Sequence, residues 1–96
     1  MSGPLEDILR IRDHVTVRMV GEEALIMDLD RLHTYSLNET AAFIVGRIDG
    51  SRTVEDIRNA VLERYEISPG ECRSRVKRLI ETLITEHLVV PADSHA

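Results

Sequence analysis

The chain of 96 residues has no tryptophan and takes only 3% of its residues from aromatics, namely Phe43, Tyr35 and Tyr65. That leaves too few flat rings for the stacking platforms on which single-stranded nucleic acids are held. A lone cysteine, Cys72, excludes an internal disulfide and fits a reducing compartment. No apolar run approaches the roughly 20 residues of a bilayer-spanning helix, so no membrane is expected. Residues 1–14 carry Glu6, Asp7 and Asp13 without an apolar stretch, so a signal peptide is not expected and the reading is cytoplasmic. Positive charge is also short: 12 basic against 17 acidic side chains give a net charge of −5. An acidic chain repels phosphate backbones at long range. The one basic stretch is residues 71–80, where Arg73, Arg75, Lys77 and Arg78 face only Glu71. What is present is 43% hydrophobic and 30% charged residues, too apolar for disorder and enough for one small domain.

The first half reads as strands. Val15, Val17 and Met19 alternate with Thr16 and Arg18; Gly21-Glu22-Glu23 is a hairpin turn. Leu25, Met27 and Leu29 then line one face of a second strand, with Ile26 and Asp28 on the other. After the polar gap Asp30-Arg31, a third strand runs from about Leu32 to Leu37. Short links favour an antiparallel meander. The second half changes to helical period. Asn38 caps a helix with Ala41, Ile44, Val45 and Ile48 inward, closed by Asp49-Gly50. Thr53 opens a helix with the stripe Val54, Ile57, Val61, Leu62 and Tyr65. Ser68-Pro69-Gly70-Glu71 combines a capping box with a proline start. Behind it, Cys72, Val76, Leu79, Ile80, Leu83 and Ile84 share a face, and His87 closes the helix where glycine is usual. Leu88-Val89-Val90-Pro91 ends the ordered part before a frayed tail. Leu5, Ile8 and Leu9 have helical spacing, but residues 5–11 are too short and too close to Gly3-Pro4 for an assignment. The order is βββααα, an α+β fold.

Residues for catalysis are thin. Cys72 falls on the buried face of the last helix, where a thiol is inert core. His14, His33, His87 and His95 make no ligand-spaced pairs, and the glycines form no phosphate loop. No catalytic residue, metal site or cofactor is expected. The third strand, in contrast, has no lysine, proline or other charge to blunt its outer edge, so it is open either to strand addition by a peptide or to cover by a helix or second copy.

The run "YSLNETAAFIVGRIDGSRTVEDIRNAVLERYEIS" followed by "RVKRLIETL…HLV" resembles the PqqD-like family, whose namesake serves pyrroloquinoline quinone biosynthesis. The resemblance spans about Val15 to Val89. It is sharpest at Leu37-Asn38-Glu39-Thr40-Ala41, Asp49-Gly50, Thr53-Val54, Tyr65 and the Val76/Ile80/Leu83 ladder. It implies a winged-helix-like recognition domain at residues 15–90, flanked by an amino-terminal segment at 1–14 and a tail at 91–96. Such domains are non-catalytic adaptors. They hold the leader of a ribosomally made precursor peptide as an added strand and present it to a radical SAM enzyme or a lasso-type peptidase or cyclase. Carried onto this sequence, the groove would use Leu32, His33, Thr34, Tyr35 and Ser36 on the strand. On the last helix it would use Arg75, Leu79, Thr82 and Glu86, or else Leu79 is simply core and the other three solvated.

Two departures from the family pattern stand out. Arg75 replaces a commonly acidic residue, which favours a leader carboxylate over a leader amine. Phe43 replaces a commonly polar residue, and Arg47 an apolar one. Phe43 is expected to pack under Leu5, Ile8 and Leu9, or to contact an enzyme or second copy. The rival readings are a winged-helix DNA-binding module using Arg73, Lys77 and Arg78, disfavoured by the charge, and a structural subunit of a biosynthetic complex. The chain is expected to be a monomer or homodimer.

Overall fold

In the computed structural model, which describes residues 7–93, period-two alternation becomes three antiparallel strands. We number strands and helices in chain order. Strands β2 (Val15–Val20), β3 (Glu23–Asp28) and β4 (His33–Leu37) form a sheet in the order β2-β3-β4. The register Val17↔Ile26 and Ile26↔Tyr35 puts these three side chains in one row facing the helices. Gly21, at φ +65°, takes the left-handed position of the two-residue turn joining Val20 to Glu23. Ala24, Ile26 and Asp28 form the buried face of β3; Leu25 is partly covered, and Met27 and Leu29 are exposed. Ile26, with no exposed surface, sits where removal of its side chain would cost about 2–5 kcal/mol.

Helices α1 (Glu39–Val45), α2 (Val54–Arg64) and α3 (Pro69–Thr85) follow. All three start on the side-chain caps expected, Asn38, Thr53 and Ser68. The complete capping box is at Thr53/Asp56, where each side chain accepts from the other residue's backbone N–H. At Ser68 only half of it forms, because the Glu71 carboxylate turns to Arg75 at 2.6 Å. Helix α1 is shorter than its periodicity suggests: it ends at Val45 and buries Ala42, Ile44 and Val45, with Ala41 half-buried. Ile48 is buried from the following loop, and Gly50, at φ +81°, serves that loop by donating to the Leu9 carbonyl at 3.0 Å.

Residue 87 ends α3 in a Schellman arrangement. Leu88 N–H donates to the Leu83 carbonyl and His87 N–H to the Ile84 carbonyl, with His87 itself at φ +60°. The reversal sends the chain into β5 (Val89–Pro91), which pairs antiparallel with β1 (Leu9–Ile11). This second sheet settles the open assignment at residues 9–11 as strand, because Leu9 (3% exposed) and Val89 (2%) bury together only if both segments extend. Leu5 and residues 94–96 of the expected tail lie outside the described residues. Leu9, Ile26, Ile44, Ile57, Val61, Val76, Leu83 and Leu88 lie in one continuous core between the sheets and the helices.

Candidate functional site

Strand β4 borders β3 on one side only. Among the described residues, its outer edge makes no backbone hydrogen bond to any other element. Its start is set by a turn absent from the sequence reading. Asp28, 1% exposed, accepts the backbone N–H groups of Asp30 and Arg31 on Oδ1, both at 3.0 Å. That turn drives Leu32 into the left-handed region at φ +55° and leaves it 86% exposed. Leu32 therefore stands outside the strand it was expected to begin, and β4 starts at His33. The N–H of Arg31 is the largest cause holding the Asp28 carboxyl below its ordinary value, against the opposing effect of burial. His14 Nε2 lies 3.7 Å from Asp28 Oδ1, and its Nδ1 lies 3.9 Å from Asp30.

The end of α3 reaches this strand through Glu86, and the helix borders a depression near the start of α1. At the start of β4, Arg31 pairs with Glu86 at 3.4 Å, and the Tyr35 hydroxyl donates to the same carboxylate at 3.5 Å. Beyond its end, a depression of about 480 Å³ opens between the α1 start and α3. Asn38, Thr40, Ala41 and Ile44 line one wall; Arg75, Arg78, Leu79 and Thr82 line the other. This depression is the groove of the candidate site; it lies on the flank of α3 whose far end Glu86 ties to Tyr35 of β4.

Of the expected site residues, Tyr35 is half-buried and points with His33 toward the helices; the two rings are 4.8 Å apart. Thr34 and Ser36 are exposed on the opposite face. Arg75, Leu79 and Thr82 stand together in the groove wall, and Glu86 is tied to Arg31 and Tyr35 at its end. Leu79 is only half-buried, so it reaches both core and groove. Sequence reasoning missed Asp28, Arg31, Ile44 and Arg78. The Asp-x-Asp-Arg spacing at residues 28–31 was a legible signal for a side-chain-capped turn; nothing local marked the other two.

Among the described residues, Phe43 turns to Tyr65 and Arg47 and not to Ile8 or Leu9. Its ring meets Tyr65 edge-on at 5.5 Å and carries the Arg47 guanidinium at 3.6 Å, whereas Ile8 bridges Thr53 and Leu9 lines the space between α2 and α3. The Tyr65 hydroxyl donates to Glu39 at 3.2 Å, and burial raises its pKa. Cys72 is fully buried, its thiol donates to the Arg58 carbonyl at 3.5 Å, and burial pushes the thiol up. It is unsuited to act as a nucleophile. Among the described residues no His/Cys/Asp/Glu group is arranged to hold a metal, and no helix is long and apolar enough to cross a membrane.

The basic cluster does not form one phosphate-binding face. Arg75 and Arg78 line the groove, while Arg73 and Lys77 line a different cleft with Arg58. The hairpin tip that a winged helix would lay on DNA carries Glu22 and Glu23.

Fold and groove define an α+β domain with an exposed strand edge flanked by a helix. The family model for coenzyme PQQ synthesis protein D (PqqD) matches residues 23–89, and the chain belongs to the PqqD family. Two solved structures share the fold. One, TbiB1 in complex with the TbiA(beta) leader peptide, superposes with a TM-score of 0.78 at 16% identity, covering 91% of this chain and 98% of that one. The other, a lasso peptide synthetase B1 complexed with the leader peptide, gives 0.77 at 21% identity, covering 88% and 99%. No curated protein matches the sequence significantly.

Proposed function

We propose that this chain is a non-catalytic, cytoplasmic leader-peptide recognition element. It binds the leader of a ribosomally made precursor peptide and presents it to a modifying enzyme, either a radical SAM enzyme or a lasso-type peptidase or cyclase. The observation that carries the reading is the edge of β4, unpaired among the described residues, together with the groove between α1 and α3. Membership of the PqqD family and the leader-bound state of both structural neighbours support it. The recognition unit is residues 15–90, with Leu9–Ile11 clasped to its end by β5.

Strand addition gives this site a division of labour. The β4 backbone, through alternate residues of His33–Leu37, supplies hydrogen bonds indifferent to leader sequence. Leader side chains on the helix side meet Tyr35, Leu79 and Ala41, which select for apolar groups. Among the described residues Arg78 forms no ion pair and Arg75 only one, with Glu71, so a leader carboxylate is favoured at that end. Thr82, whose hydroxyl donates to the Arg78 carbonyl at 3.0 Å, keeps lone pairs free to accept from the leader.

A proline scan of the leader encoded beside this chain, read by isothermal titration, tests the reading. Pairing to one edge uses every second leader N–H, so losses should recur with period two across the bound segment. Uniform tolerance of proline would overturn strand addition, and absence of any binding would overturn the recognition role.

A further inference from the structure

Helix α3 has a second concave flank that the groove does not use. Between β1, α2 and α3 lies a cleft of about 300 Å³ floored by Leu9, Val54, Val76 and Ile80, with Ile84 at its mouth 48% exposed. Arg58, Arg73 and Lys77 stand on its rim, together with Asp7 and Glu81. None of these three cations forms a salt bridge within the described residues, and the buried Nε of Arg58 has no hydrogen-bond acceptor. Around this apolar floor the three cations outnumber the carboxylates of Asp7 and Glu81, and they complement a partner's carboxylates. Lys77 and Leu79 are two residues apart, about 200° around the helix, so the cleft and the groove face nearly opposite ways. A ligand in one leaves the other open.

We propose that this cleft docks the modifying enzyme, through an enzyme segment that inserts an apolar side chain flanked by aspartate or glutamate. The proposal rests on the adaptor reading, since an adaptor must hold leader and enzyme together. Helix α3 then lies between its two partners. The apolar anchor would cover Ile84 and Ile80, and the flanking carboxylates would pair with Arg73 and Lys77 and give Arg58 Nε its acceptor.

The test uses the full chain, its leader peptide and the purified radical SAM enzyme or leader peptidase encoded beside it. Charge reversal at two exposed positions, R73E/K77E, and a polar change at the cleft mouth, I84D, are each measured against both partners. The expected result is an enzyme Kd raised at least tenfold by either variant, with the leader Kd within twofold of wild type. Higher salt should weaken the wild-type and I84D complexes with the enzyme but not the residual binding of R73E/K77E, which has lost the attractive charges. Enzyme affinity unchanged in both variants, with leader binding intact, overturns the docking site alone. It assigns the cleft to a second copy if the wild type is dimeric and R73E/K77E monomeric by light scattering, and otherwise to the chain's own terminal residues. Loss of leader affinity in these folded variants also overturns it, because the two flanks would then not be independent. A wild-type chain that binds no leader overturns the adaptor reading itself.

Discussion

Replacing Leu79 with arginine separates a groove residue from a core residue. Leu79 is half-buried beside Ile44 and Ala41, and a docked leader side chain would cover its remaining surface. Full burial of a leucine is worth about 1.5–3 kcal/mol, so covering the exposed half contributes about 1 kcal/mol. Arginine forfeits that and places a third cation beside Arg75 and Arg78, to be desolvated without a partner at about 1–3 kcal/mol. The sum, about 2–4 kcal/mol, corresponds to leader affinity weakened roughly thirty- to several-hundred-fold. Fluorescence anisotropy with labelled leader measures it, and a circular-dichroism melt confirms that the variant is folded. Leu79→Ala should lose only about fivefold, on the order of 1 kcal/mol. An L79R variant that is folded and binds as tightly as wild type would refute the assignment of this flank of α3 to the leader.

Three other outcomes follow from the same geometry. Asp28 has a folded pKa below its unfolded value near 3.9, so its contribution to stability is present above that value and is lost as pH falls through the folded one. Urea titrations should show D28N less stable than wild type at pH 7, with the gap closing below about pH 4; a constant gap contradicts the role given to the turn. His87→Gly relieves a left-handed backbone and should raise Tm by a few degrees, about 0.5–1 kcal/mol, without altering leader affinity. Arg78→Glu should weaken a leader with an acidic side chain at the α1 end by roughly tenfold, from loss of one charge pair and its replacement by repulsion. Swapping that leader side chain for lysine should restore affinity, and failure of the swap would remove charge from the account of specificity.

Local signals carried most of the fold. The hairpin at Gly21, the caps at Asn38, Thr53 and Ser68, and the turn at His87 each depend on residues within five positions of one another. The β1–β5 pairing was not legible, because Leu9 and Pro91 stand at opposite ends of the chain and three-residue strands leave little periodicity to read. The site was half legible for a similar reason. An edge lacking charge and proline can be seen in residues 33–36, whereas the wall opposite depends on how α1 and α3 pack. Helical spacing alone grouped Arg73, Lys77 and Arg78 as one basic face. Packing against α1 on one flank and α2 on the other divides them between two clefts. Leu32 shows the opposite error: its apolar character suggested a strand residue, but the Asp28 side chain captures the backbone before the strand can begin.

The most direct measurement of the central claim is amide hydrogen exchange on the full chain with and without its leader. Addition of the leader should slow exchange at alternate residues of His33–Leu37, whose outward N–H groups have no backbone partner among the described residues, and shift the resonances of Leu79 and Thr82. Unchanged exchange along β4 at saturating leader, with perturbations confined to other surfaces, would contradict strand addition at this edge.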